Sequence, residues 1–344
     1  MRDRHRKYSR LLAATVLLAG ASGALASDPG SFDRTLTVTG PVFLDVKSDP
    51  GGAAITTGPE GTVRVHAIIK PLFGRLDLDL AEANIRALEK NPPIEQSGNR
   101  LRIGYVKDPS VLRGVTIRFE IETPQASEVR AATTSGGIRI DGIAGPAHTM
   151  TNSGRTEISN VGASINVSVD SGAVIIRNAG NSVVVRSQSG GIQLTGIRGS
   201  VELQTTSGRH EISDVAGPLR ATTNSGSIRI EDARAGVIAR NGSGSITALR
   251  IGGSVDAKTG SGEIRIEQVK PAPIRAVARS GAIQVQLASG SGYLLDALSQ
   301  SGKISAPAEV AAQLARDGHS LKAQLGQGGP LVDLDTHSSR IAIR

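Results

Sequence analysis

An all-β, parallel β-solenoid with about eighteen residues and two strands per coil is the fold class this sequence predicts, and three observations predict it. The first is a fixed period. Ser-Gly recurs every eighteen residues from Ser135-Gly136 through Ser153-Gly154 and Ser171-Gly172 to Ser261-Gly262, then at looser spacing at Ser280-Gly281 and Ser301-Gly302. A repeat of that length marks stacked units, each too small to bury its own apolar face. The second is alternation. With Ser as position one, positions four and six are aliphatic in nearly every unit, as in Ile138/Ile140, Val174/Ile176, Ile228/Ile230 and Ile264/Ile266. Positions thirteen and fifteen repeat this as Ile165/Val167, Val183/Val185 and Val255/Ala257. Strict alternation with a β-branched bias is the pattern of a half-buried strand, so each unit holds two. The third is turn chemistry. Glycine at position two supplies backbone angles closed to other residues, and Gly142, Asn160, Asn178, Gly196, Asp214 and Asp232 at position eight tolerate left-handed geometry.

The elements follow in chain order. Residues 1–26 are expected to be an export signal: Arg2, Arg4, Arg6, Lys7 and Arg10 precede the apolar run Leu11–Ala19, and Ala24-Leu25-Ala26 is a small-x-small cleavage site. Residues 27–128 are expected to form an N-terminal cap of partial coils. Its strand-like runs are Leu36–Val38, Val63–His66, Arg100–Tyr105 and Val115–Ile121, with Ser48–Thr57 read as a decayed coil. A helix is expected over Leu80–Lys90, with Leu80, Ala83, Ala87 and Leu88 as its apolar positions and Pro92-Pro93 as its stop. Such a segment covers the open strand edge that the first coil exposes. Residues 129–306 are the regular repeats, with longer turns at Lys270–Pro273 and Ala288–Tyr293. In residues 307–344 the chain is expected to leave the array through a helix at Pro307–Arg316 closed by Gly318, then return for one last coil. That coil carries Val332, Leu334, Thr336, Ile341 and Ile343, and has Ser339 in the glycine slot. The Ser-Gly corner is read as structural, with a stacked ladder of serine hydroxyls.

Charge and composition narrow the function classes. The expected signal holds five of the 39 Lys+Arg and one of the 31 Asp+Glu, so the formal +8 falls to a mild +4 in the mature chain. That balance argues solubility and no nucleic-acid partner. Between Phe119 and Tyr293 there is no Phe, Tyr or Trp, so the repeats lack the aromatic platforms on which bases stack. With no cysteine there are no disulfides and no thiolate metal site, and no apolar stretch of the mature chain is long enough to span a bilayer. A periplasmic or extracellular location is expected.

Chemistry that breaks the repeat is sparse. His210 fills an inward aliphatic slot, with Glu211 on the opposite face and Ile192 and Ile228 at the same slot in adjacent coils; a histidine satisfied at a turn is the plainer reading. His66, His148, His319 and His337 have no metal-ligand spacing. Asp77/Asp79 and Asp333/Asp335 stand at alternate positions, each pair on one strand face, and Asp141, Asp214 and Asp232 read as edge and turn residues. No G-x-S-x-G elbow and no phosphate-binding loop occurs. The outward charges Arg139/Asp141, Arg229/Glu231 and Arg265/Glu267 alternate in sign and serve solubility.

The iterated Ser-Gly-x-Ile-x-Ile units, such as Ser135–Ile140, Ser225–Ile230 and Ser261–Ile266, and the ending Gly328–Thr336 resemble a bacterial family of exported candidate adhesins of unknown function, from about Ser31 onward. The resemblance implies the solenoid and supplies no catalytic, cofactor or metal residues. The expected function is that of a non-catalytic, adhesin-like binding scaffold without cofactor, meeting its partner through a polar sheet face or the turns near Lys270 and Ala288. A cell-surface, glycan or envelope protein is the class of partner. A polysaccharide-active enzyme using strand-face carboxylates and a cell-envelope stress-response accessory protein are the alternatives.

Overall fold

The alternating residues form strands whose aliphatic side chains meet across a narrow core, in a computed structural model that describes residues 29–72 and 78–344. Ile138 and Ile228, the test of the alternation, are each 1 % exposed. From Ser127–Ser135 onward one wall, the front wall, adds a parallel strand every eighteen residues, as Ala147–Ser153, Ile165–Ser171 and Val183–Ser189. The facing back wall does the same from Ile138–Asp141 through Thr156–Val161 and Val174–Ala179. Parallel pairing at the repeat offset puts each residue over its counterpart in the next unit. Val167 therefore lies over Val185, and Ile158 over Ile176. The structure is all-β, dominated by parallel pairing and solenoid-like, and the export signal at residues 1–26 lies outside the described residues.

Among the described residues, every non-glycine residue with positive φ occupies turn position eight: Asn160, Asn178, Asp214, Asp232 and Arg250, with φ from 50° to 56°. Arg250 is the unexpected one. Its guanidinium donates to Asp232 from Nε and Nη2 at 2.7 Å each and to Glu231 at 2.9 Å. This bidentate hold compensates a conformation that arginine otherwise avoids. Those contacts keep the carboxyl groups of Glu231 and Asp232 below the usual carboxylate range.

The corner differs from the expected serine ladder. Its serines face solvent or its margin, and among the described residues one hydroxyl contact joins them, Ser189 to Ser171 at 3.5 Å. The ladder lies two residues earlier, on the inside. Thr133, Asn241, Thr259 and Thr336 donate to the carbonyls of Gly51, Gly226, Gly244 and Gly281 at 2.9–3.1 Å. These corner carbonyls point into the core, where an unpaired acceptor is costly, so an inward hydroxyl or amide is needed there. Thr259 also reaches the Ser261 carbonyl at 3.2 Å. Thr259→Val keeps the shape and removes the donor; urea unfolding is expected to show a loss of about 1 kcal/mol, and an unchanged midpoint would refute the assignment.

Both ends of the stack depart from sequence order. Strands Val42–Ser48 and Gly51–Thr57 lie between Arg100–Ile103/Val115–Thr123 on one side and Ser127–Ser135/Ile138–Asp141 on the other, all parallel. Thr62–Pro71 and then Gly30–Thr37 extend the back wall antiparallel. At the far end, Leu331–Thr336 and Ile341–Ile343 insert between Ile274–Ser280/Ile283–Gln286 and Tyr293–Ser299/Ile304–Ser305. The coil that is last in sequence is thus not last in the stack. A terminal segment paired on both sides does not fray as an edge strand would.

Two helix expectations are corrected. The helix spans Leu78–Lys90 and buries Ala81, Asn84, Ile85 and Leu88, whereas Leu80 is 41 % exposed and Ala83 faces outward. Asn84 sets this rotation, because its amide donates to the carbonyls of Ser110 and Arg113 at 3.2 and 2.9 Å. At Pro307–Arg316 only a single 3-10 turn forms, Ala311–Gln313. Val310 is drawn into the core and Leu314 bridges Leu321, which leaves a short segment no apolar face on which to build a helix.

Candidate functional site

The outward row at position fourteen gives the front wall its most distinct surface. Register places Glu202 beside Arg220, then Ile238, Asp256, Arg275 and Asp333, one residue per strand. Alternation along each strand points these side chains away from the core, since their neighbours Leu219, Val237 and Val255 are buried. Just before the row, at position twelve, the residues are Ser200, Pro218, Gly236, Ser254 and Pro273. Side chains that short leave the margin bare, and a shallow groove of about 740 Å³ runs across the strands. Leu331, 49 % exposed, closes its far end, and the Lys270–Pro273 turn contributes Pro273 to its wall.

The groove's charges are largely held in place. Arg240, two residues along the strand from Ile238, donates from Nη1 to Asp256 Oδ1 at 2.9 Å and from Nη2 to Oδ2. Arg240 beside it holds the Asp256 carboxyl below the usual range, with Arg275 and Arg220 adding to the effect. Arg275 Nε stands 3.6 Å from Asp333.

The other residues singled out from the sequence are scattered. His210 is fully buried between Ile192 and Ile228 in register, its Nε2 2.9 Å from Thr205 Oγ1, while Nδ1 has no partner. The expectation of a fully satisfied ring is therefore half met. Glu211 is exposed on the other face. Asp79 lies in the first turn of the helix, so it shares no strand face with Asp77, which lies outside the described residues. Asp333 and Asp335 do share the outer face of Leu331–Thr336. Asp141 accepts from Asn160 at 2.8 Å, Asp214 from Arg234 at 3.1 Å, and Asp232 from Arg250. His66 pairs with Asp33 at 2.8 Å, and His319 meets the Gly302 carbonyl at 2.6 Å. Among the described residues no three His, Asp or Glu side chains gather as a metal site. The alternating charges read from the sequence, such as Arg229 and Glu231, stand at positions five and seven of the repeat, whereas this row stands at position fourteen, and the eighteen-residue period is the signal that collects it.

Residues 177–344 match the family model Toastrack DUF4097. The Toastrack match takes in the whole groove and the ending Gly328–Thr336, and the family is one of unknown function. Two solved structures are similar over most of their length. A candidate cell adhesion protein from Clostridium sporogenes is 10 % identical, with 92 % of this chain and 99 % of that one covered at a TM-score of 0.22. A candidate adhesin from Bacteroides fragilis is 15 % identical, with 74 % and 95 % covered at a TM-score of 0.32. No curated protein matches the chain. No helix among the described residues is long and apolar enough to cross a membrane.

Proposed function

We propose that this chain is an exported, non-catalytic binding scaffold. On this reading it is a β-solenoid with two strands per eighteen-residue coil, opened by a cap over residues 27–128, regular over 129–306 and closed by 307–344. It works outside the cytoplasm after cleavage near Ala26 and meets its partner through the front-wall groove. The observation that supports it best is the groove's electrostatics. Polysaccharide cleavage by paired acids needs one carboxyl held protonated near neutral pH as a general acid. Asp256 is shifted the opposite way by Arg240, and Asp333 has Arg275 beside it. A carboxylate kept ionised by arginine, as Asp256 is, is suited to recognition.

The test uses the purified mature protein. Retention of a surface or envelope component by the wild type, lost in Arg220→Glu, is the expected result. Turnover of a cell-wall or plant glycan that Asp333→Asn abolishes would overturn the reading.

A further inference from the structure

We propose that the front-wall groove is a two-fold contact between two copies of this chain. The inference rests on reading that face as a contact surface; the second copy fills the groove when no envelope component does, so the two compete for it. Five consecutive strands present Glu202, Arg220, Ile238, Asp256 and Arg275 in one row. Their signs run negative, positive, neutral, negative, positive. A two-fold axis along the central strand, Val237–Ser243, sets each strand on one side of Ile238 against the strand equally far on the other side in the second copy. Arg220 then faces the partner subunit's Asp256, Glu202 faces the partner subunit's Arg275, and Ile238 faces its own copy. All four charges meet opposite charges, which is what a self-complementary, isologous patch requires. Moving the axis half a strand, to between Ile238 and Asp256, sets Arg220 against Arg275 and Glu202 against Asp333. The pattern therefore selects one centre.

The neighbouring rows permit the approach. Two residues along the strands, the outward row reads Gln204, Thr222, Arg240, Lys258 and Val277. Lys258 then meets Thr222, and Val277 meets Gln204. Arg240, at the axis, is drawn aside by its two bonds to Asp256. A carboxylate has room for a second guanidinium, since it accepts at about four lone-pair sites. On the other side of the row the short residues at position twelve offer no obstruction, and the long side chains of Arg220 and Arg275 reach into the opposite trough. Five strands at ~4.8 Å spacing and about six residues at ~3.3 Å rise span roughly 480 Å² per copy. The total, about 950 Å², lies below the range of stable specific interfaces and in that of transient ones, so the dimer is expected to be weak and concentration-dependent.

The chain has no cysteine, which permits a clean test. Ile238→Cys, treated with a short bis-maleimide, is expected to give a covalent dimer. Ile175→Cys, half-buried on the outer face of the back wall, is the control and is expected to stay monomeric. Equal cross-linking of both, or of neither, would overturn the proposal. In sedimentation equilibrium, Glu202→Arg and Arg275→Glu singly are expected to weaken association at least tenfold, and together to recover it; a double variant no better than the singles counts against the contact. Wild-type protein that is monomeric at several hundred micromolar yet still retains an envelope component sinks the dimer and leaves the scaffold reading standing. A dimer that turns over a glycan does the reverse.

Discussion

Gly190→Ala is expected to destabilise the protein by at least about 3 kcal/mol, whereas Gly191→Ala, one residue on, is expected to change stability by less than about 1 kcal/mol in either direction. Gly190 is a corner glycine with φ of 131°, and a Cβ there would be driven into the backbone carbonyl of Gly172 in the preceding coil. The obstacle is backbone, fixed in turn by the next strand pairing, since Gly172 N donates to Ser189 O at 3.2 Å. Neither a rotamer change nor a local shift relieves it, and strain in a packed array passes to neighbouring units. A Cβ on Gly191 meets nothing within 4 Å, and alanine there lowers the entropy of the unfolded chain. Urea unfolding of the two variants side by side makes the measurement. Similar losses at both positions would show that the corner is not held by close backbone approach.

That contrast also shows how far the sequence could be read. The Ser-Gly period carries the fold because glycine at the corner answers a backbone requirement, and a backbone requirement repeats in every unit. The alternation placed Ile138, Ile228 and Val185 inside for a similar reason, each lying over an equivalent neighbour. The inward Thr133, Asn241 and Thr259 column was equally periodic but varied in residue type, because hydroxyl and amide donors serve the same carbonyl. Identity-based reading passes over such a column. The interleaved order of the end coils was not legible. Nothing local in Val332, Leu334 and Ile341 distinguishes pairing with Ile274 and Ile283 on one side from pairing on both sides. Likewise the helix face depended on where Asn84 found carbonyls, a tertiary fact. The groove lies between these cases: its charges were visible one by one, and only the strand register makes them a row.

His210 supplies the second large effect, a stability that falls with acid. Its ring is fully buried, and burial pushes its pKa down to about 4 from the ordinary 6.5. With Nε2–H donated to Thr205 Oγ1, the partnerless Nδ1 carries only a lone pair, and protonating it would bury a charge with no acceptor in reach. The flanking charges Arg209 and Glu211 point out of the core, and the residues over and under the ring are Ile192 and Ile228. Above pH 6.5 the ring is neutral both folded and unfolded, and the folded state loses nothing. Between pH 6.5 and about 4 the unfolded chain takes up a proton that the folded chain refuses. The stability difference therefore widens as pH falls through this window, and below about 4 it stays constant at about 3 kcal/mol. His210→Ile, which restores the residue found in both adjacent coils, removes this dependence. Carboxylates titrate in the same range in both proteins, so the informative quantity is the variant minus the wild type. That difference, measured by urea unfolding, is expected to grow by about 2–3 kcal/mol in the variant's favour between pH 7.5 and pH 4.5. Parallel pH profiles would mean that the ring is already charged or solvated in the folded state, and that its neutral burial among isoleucines is wrong.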